Sequence, residues 1–362
     1  ISKHLEFTLS LQSLSHLPAI YLSKTVEKIP SNFSECVFTT NEWIFSVIPP
    51  YIMTVSILGI LLNSFVLMVF SLHKKSCTMT EIHLSNLAAA DLLLVSFLPF
   101  YAVYVFNHFN WTFGLAMCKF VNLSILMNTY CSIYFMVLVS IDRYLALVHP
   151  MFYERISEKK FAKLGCMVVW ILGFIFGLPA LIHRDLKPSY NQTFCYLNFP
   201  SRTTQLISDT SISLFGFITP IFIISFCTFK IIKALRSGSK EIKSAEKMHQ
   251  KMTTLVLAVL LAFLICWVPY HLLKLLYLLK DADMLTSCSV FNHLLICSQI
   301  FTYLAFFNST LNPILYCLVG KTFQKKVKEL FKLSNQKSNM AINDPSTSTK
   351  LYGSAQSEEN AL

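Results

Sequence analysis

The sequence predicts an all-α membrane protein: a seven-transmembrane helix bundle with a short amphipathic surface helix after the last span. Three observations lead there. Of the 362 residues 54% are hydrophobic and 14% charged, with a mean hydropathy of +0.55, and a soluble core of this size could not hide that much apolar surface. The apolar residues gather in seven runs, each long enough for a helix to cross about 30 Å of hydrocarbon. Most of the lysines and arginines lie in alternate segments between those runs.

Residues 1–45 read as an N-terminal segment with no apolar stretch of signal-peptide form, so the first span is expected to direct insertion. Because the chain starts at Ile1, it reads as a fragment or processed form. The spans are expected near 46–71, 82–106, 116–141, 164–182, 206–229, 253–279 and 290–319, making 46–319 the membrane domain. Short inner loops collect basic residues. Lys74 and Lys75 follow span one, five bases from Arg143 to Lys163 lie between three and four, and seven from Lys230 to Lys251 between five and six. Five more, Lys321 to Lys332, follow span seven, so the N-terminus is expected outside. The net charge of +11 then describes a basic face against anionic lipid rather than a nucleic-acid surface.

After span seven, residues 320–333 place Phe323, Val327, Leu330 and Phe331 on one helical face and lysines on the other, a helix lying on the inner membrane surface. Residues 334–362 are polar and aperiodic and are expected to be a disordered tail. The run Ser346, Thr347, Ser348 and Thr349 is a candidate phosphorylation site, and ordinary disordered filler is the other reading. Asn32, Asn110 and Asn191 stand in N-x-S/T sequons, all in segments expected outside. Cys36, Cys118, Cys195 and Cys288 are also expected outside, where four thiols allow three pairings. The other seven cysteines read as reduced, small hydrophobes. No CxxC or His-rich spacing suggests a metal.

Inside the spans, polar residues are few. Asp91 reads as the one acid deep in the hydrocarbon, with Asn63, Asn128, Ser132, Asn308 and Asn312 as polar partners on other spans. That set would serve as interhelical glue or as a small-cation pocket. Pro220, Pro269 and Pro313 each remove a helix hydrogen bond and should kink spans five, six and seven. Asp142 and Arg143 close the apolar run of span three, where an arginine at the membrane edge would be held by the adjacent carboxylate or would only anchor the span. A transporter or channel is the rival outside this class; it would carry internal repeats or pore-lining charges, and the sequence has neither.

With Asp142-Arg143-Tyr144, FLICWVPY at 263–270, NPILY at 312–316, Asp91 in NLAAAD, Trp170, and the pair Cys118 and Cys195, the chain resembles rhodopsin-like G protein-coupled receptors. Within that family, stretches such as MNTYCSIYFMVLVSIDRYLALVHPM and GFITPIFIISFCTFKI are most similar to bradykinin (kinin) receptors, and LPALIHR at 178–184 is similar to angiotensin receptors. The resemblance implies a receptor, not an enzyme, in the plasma membrane. It would bind an extracellular peptide of kinin type and activate a heterotrimeric G protein of the Gq branch, with phospholipase C and calcium release. An angiotensin-like peptide, or an anionic lipid or nucleotide, is the alternative ligand. Receptor kinases and arrestin would act at the tail.

Carried over by residue, the resemblance makes Asp91, Asn128, Ser132 and Asn308 an allosteric sodium pocket. Asp142, Arg143, Tyr144, Asn312, Pro313 and Tyr316 become activation and coupling residues. Trp267 and Phe263 become the aromatic pair beneath the ligand, with Tyr270 and Lys274 beside it. It pairs Cys118 with Cys195, and Cys36 with Cys288. Departures are equally specific: His249 replaces the acid of span six that pairs with the arginine in many members, and Thr228 a tyrosine of span five. No cysteine follows the surface helix in this sequence, so the palmitate anchor usual in the family is not expected. The two acids that hold an arginine of the peptide in kinin receptors match Tyr277 and Leu295. Asp281 and Asp283 lie about one turn further out and would substitute for them, or would belong to a solvated loop.

Overall fold

The structure is a computed structural model and describes residues 43–73, 77–156, 158–189, 192–237, 244–281, 288–318 and 320–342. Long helices α1 (Trp43–Leu72), α2 (Met79–Phe106) and α3 (Gly114–Val148) lead into a short α4 (Pro150–Ile156) and then α5 (Lys159–His183). A hairpin of β1 (Arg184–Ser189) and β2 (Gln192–Leu197) precedes α6 (Arg202–Ser213), a π-turn (Leu214–Ile218) and α7 (Thr219–Ser237), which together make one span. The chain continues through α8 (Ser244–Asp281), α9 (Cys288–Leu318) and α10 (Lys321–Ile342).

Six helical segments among the described residues are long and apolar enough to cross a membrane. The seventh span, α9, has 31 residues and packs against α1, α2 and α8. Polarity is arranged inside out. Phe222, Leu61 and Leu261 are exposed on the outer surface, whereas Asn63, Asp91, Ser132, Asn308 and Asn312 are buried in the middle. That is the pattern of a bundle whose solvent is hydrocarbon.

The helices overrun the hydropathy spans because a helix need not stop where its apolar run does. Thr78 starts α2 ahead of the expected 82: its hydroxyl accepts from the Glu81 amide at 3.3 Å while the Glu81 carboxylate accepts from the Thr78 amide at 2.8 Å. This reciprocal cap satisfies two of the amides a helix start leaves open. At the other extreme α10 runs to Ile342 instead of ending near 333. Residues 334–342 contain no Gly or Pro to stop it, and Gln336, Lys337, Met340 and Ala341 favour helix.

Close approach in the bundle is bought with small residues. A Cβ on Gly173 of α5 would stand 2.4 Å from the Cys131 sulfur of α3, and one on Gly177 would stand 2.6 Å from Leu123, so these two positions let α5 lie against α3. The hairpin closes one end of the bundle. Cys195 of β2 is disulfide-bonded to Cys118 at the start of α3, with the Cα atoms 5.7 Å apart. Cys77, Cys131, Cys166, Cys227, Cys266, Cys297 and Cys317 are free thiols. The loop after α2 joins the hairpin edge, with the Trp111 amide donating to the Thr193 carbonyl at 2.7 Å.

Candidate functional site

Two buried polar clusters and an aromatic box line the axis of the bundle. The first centres on Asp91 of α2, fully buried. Its Oδ1 accepts from Asn128 Nδ2 of α3 at 2.9 Å and its Oδ2 from Asn312 Nδ2 of α9 at 2.9 Å. Ser132 and Ser309 stand beside the carboxylate, and Asn128 Nδ2 also reaches Ser132 Oγ at 3.3 Å. Asn63 ties α1 in through the Ser309 carbonyl at 2.8 Å. The amide oxygens of Asn63, Asn128, Asn308 and Asn312 are buried with no hydrogen-bond donor among the described residues. A carboxylate surrounded by unmatched oxygen acceptors suits a hard cation or water.

The second cluster lies at the other end of α3. Arg143 donates through Nη2 and Nε to Asp142 Oδ2 at 2.7 and 3.1 Å, and both side chains are buried. Asp142 accepts further from Thr80 Oγ1 of α2 and, at 3.0 Å, from Tyr153 of α4. Pro150 suits the first turn of α4, where no amide hydrogen is needed. Burial, and then the Asp142 carboxylate, push the Tyr153 phenol up to about 12, so it remains a donor. The Arg143 Nη1 is buried without a partner among the described residues, as is the Tyr316 hydroxyl on α9. Tyr144 turns away and bonds His149 at 3.0 Å. His249 lies on α8 with its side chain outside the described residues.

Two ion pairs flank this end: Lys326 Nζ sits 2.9 Å from Glu81 Oε1, with both side chains buried, and His73 Nε2 sits 2.9 Å from Glu329 Oε2. They fasten α10 to the bundle. Sequence reasoning missed them along with Thr80 and Tyr153, since all are contacts between distant residues that carry no local pattern.

Toward the disulfide end, Phe263, Trp267 and Tyr270 follow one face of α8. Trp267 meets Phe263 at 6.0 Å and Tyr270 edge-on at 6.0 Å. His271 packs beside Trp267 and stacks on Phe217 of the π-turn, with centroids 4.1 Å apart. Tyr130 of α3 and Asp209 of α6 are buried nearby. Asp91 is therefore not alone, for Asp209 is only 2% exposed. Its place near the edge of span five, in the polar run SDTSIS, concealed it.

Several predicted site residues fall outside the described set. Lys274, Tyr277 and Asp281 lie on α8, Leu295 lies on α9 and Cys288 begins α9, with none of these side chains described. Cys36, Asp283, Asn32, Asn191 and residues 346–349 lie outside it entirely. Asn110 is half-buried and accepts from the Thr193 amide at 2.9 Å.

Comparison with known proteins places this geometry. Residues 62–316 match the family described as 7 transmembrane receptor (rhodopsin family). The B2 bradykinin receptor of Oryctolagus cuniculus is 40% identical over 304 residues, covering 83% of each chain. The human B2 bradykinin receptor is 40% identical over 293 residues, 80% of this chain and 75% of the receptor. The human B1 bradykinin receptor is 34% identical over 322 residues, 87% and 91% of the two chains.

Proposed function

Because this chain belongs to the rhodopsin family of seven-transmembrane, G protein-coupled receptors, we propose that it sits in the plasma membrane, N-terminus outside, and answers an extracellular kinin-type peptide. Identity near 40% to B2 bradykinin receptors over four fifths of the chain carries the reading. In this reading the disulfide end faces outward and receives the peptide. Occupied receptor drives nucleotide exchange on a heterotrimeric G protein of the Gq branch, raising cytosolic calcium through phospholipase C.

In this reading the arrangement described above is the resting state. Arg143 is neutralised by Asp142, and Thr80 and Tyr153 saturate the same carboxylate. Peptide that binds more tightly to the open state moves the population toward it, with α8 swinging at Pro269. Opening frees the arginine fork for the G protein. Equal affinity for both states would move nothing.

A sodium ion fits the Asp91 cluster, whose Asp91, Asn128, Ser132 and Asn308 would hold it; bound there, it would supply positive charge that favours the compact bundle. The basic face of α10 would meet inner-leaflet lipid. Receptor kinases and arrestin would act at Ser346, Thr347, Ser348 and Thr349, glycans at Asn32, Asn110 and Asn191, and Cys36 would pair with Cys288. One observation favours another ligand: Tyr277 and Leu295 stand where kinin receptors carry acids, which would suit an angiotensin-like peptide or an anionic ligand.

Calcium release decides between them. Cells displaying the chain at their surface are dosed with bradykinin, with bradykinin lacking its terminal arginine, and with angiotensin-type peptides. A response to either kinin at nanomolar to micromolar dose supports the reading; silence toward both, with a response to another class, replaces it.

A further inference from the structure

Asp209 has no part in the activation scheme, yet it is buried in a span at the disulfide end. Insertion scales put an aspartate in the hydrocarbon at about 2.5–3.5 kcal/mol, and such residues are seldom retained without a use. Its surroundings suggest the use. The carboxylate is within electrostatic range of the Tyr130 and Tyr270 phenols.

The backbone brings the rings there. Below Asp209 the span passes through the π-turn Leu214–Ile218, a feature that often marks functional sites. At Gly216 in that turn, a Cβ would meet Tyr130 Cε1 at 2.4 Å, so only glycine allows the tyrosine to press against this span. Phe217 of the same turn stacks on His271, interplanar angle 11°. Tyr270 stands edge-on to His271 at 5.0 Å and to Trp267 at 6.0 Å. Ring faces carry negative charge density and attract cations, most strongly where water is excluded. A buried carboxylate near two tyrosine phenols, one of them packed against tryptophan and histidine rings, is a composition that selects positive charge.

We propose that Asp209, Tyr130, Trp267, Tyr270 and His271 form a cation subsite that takes a guanidinium or ammonium group of the agonist. The assignment rests on the receptor reading above, and it moves the peptide's counter-charge from the outer ends of spans six and seven, where Tyr277 and Leu295 have none, to span five. Lys274 comes one turn after Tyr270 in α8, and as the nearest lysine in that sequence it is the rival counter-charge that the test has to separate from the ligand.

The test uses the full-length receptor in cells, with Asp209→Asn and Asp209→Glu. Bradykinin is compared with analogues in which each arginine in turn becomes citrulline, which keeps the shape and loses the charge. Asp209→Asn should weaken bradykinin about 30-fold, the scale of a desolvated charge contact, and Asp209→Glu should recover most of that. One citrulline analogue should be equally potent on wild type and Asp209→Asn, because it lacks the charge that Asp209 holds. Equal losses for every analogue, or none, would overturn the subsite. A defect reversed by adding Lys274→Met would also overturn it, making Asp209 that lysine's counter-ion. If no kinin activates the wild type, the kinin reading fails and the subsite is still decided by thermal unfolding of the purified receptor with arginine ethyl ester. A rise in Tm present in wild type and absent in Asp209→Asn supports the subsite; no rise in wild type rejects it.

Discussion

Asp91 and Asp142 are both buried aspartates on the bundle axis, and their surroundings are opposite. Asp91 is held by neutral amides, and the oxygens of Asn63, Asn128, Asn308 and Asn312 around it lack donors among the described residues. Asp142 already accepts from Arg143, Thr80 and Tyr153, and there it is a donor, Arg143 Nη1, that is left over. One cluster has acceptors to spare, the other has donors. A cation would complete the first, and the second is complete only while its arginine stays home.

Breaking the second cluster should have the larger effect. Asp142→Ala leaves a buried guanidinium uncompensated, a loss of about 3–5 kcal/mol, and should appear as a lowered Tm and a raised ligand-free rate of nucleotide exchange. Unchanged basal exchange would mean that the pair is an anchor and not a latch. Next comes Asp91→Asn, which keeps the shape and removes the charge. Loss of the hydrogen bonds to a charged acceptor costs about 1.5–3 kcal/mol, and replacing choline chloride by sodium chloride should no longer raise the receptor's Tm. If sodium still stabilises the variant, the acceptor-rich cluster is glue.

Smaller changes sharpen the contrast. Tyr153→Phe removes one donor from Asp142 and should cost about 1 kcal/mol with a slight rise in basal exchange. With the Tyr153 phenol pushed up to about 12, the folded state holds its proton longer than the unfolded chain. The bond is fully present below about pH 10, and its contribution falls only as pH rises from there toward the folded value. The difference between variant and wild type should therefore be flat across physiological pH. His73→Ala, outside both clusters and paired with a half-exposed Glu329, should cost only about 0.2–1 kcal/mol. Thermal unfolding of the purified receptor ranks all four.

Much of this was legible in the chain. Membrane helices announce themselves through length and hydropathy, which bilayer thickness sets, so all seven spans could be placed before their packing was known. Asp142 and Arg143 were legible because they are neighbours. Asp91 was legible because a charge amid alanines and leucines is conspicuous. What escaped arises between segments: Thr80 and Asp142 lie 62 residues apart, Tyr153 and Asp142 lie 11 apart on different helices. Asp209 escaped for another reason, since a carboxylate at the polar margin of a span looks solvated until the neighbouring helices close over it. Where helices end was also unreadable from hydropathy, because Thr78 caps α2 through hydrogen bonds and α10 continues through residues that are polar but helix-forming.

Glu81 has a double engagement with a practical meaning. One of its oxygens terminates α2 at Thr78 while the other meets Lys326 of α10. Shortening the chain for crystallisation, or splicing a fluorescent reporter in ahead of Lys326, would strip a buried carboxylate of its cation and loosen the first turn of a membrane span far away in sequence. Engineers trimming this receptor should cut after α10, and a lowered yield from a shorter version would point to Glu81 rather than to the lost tail.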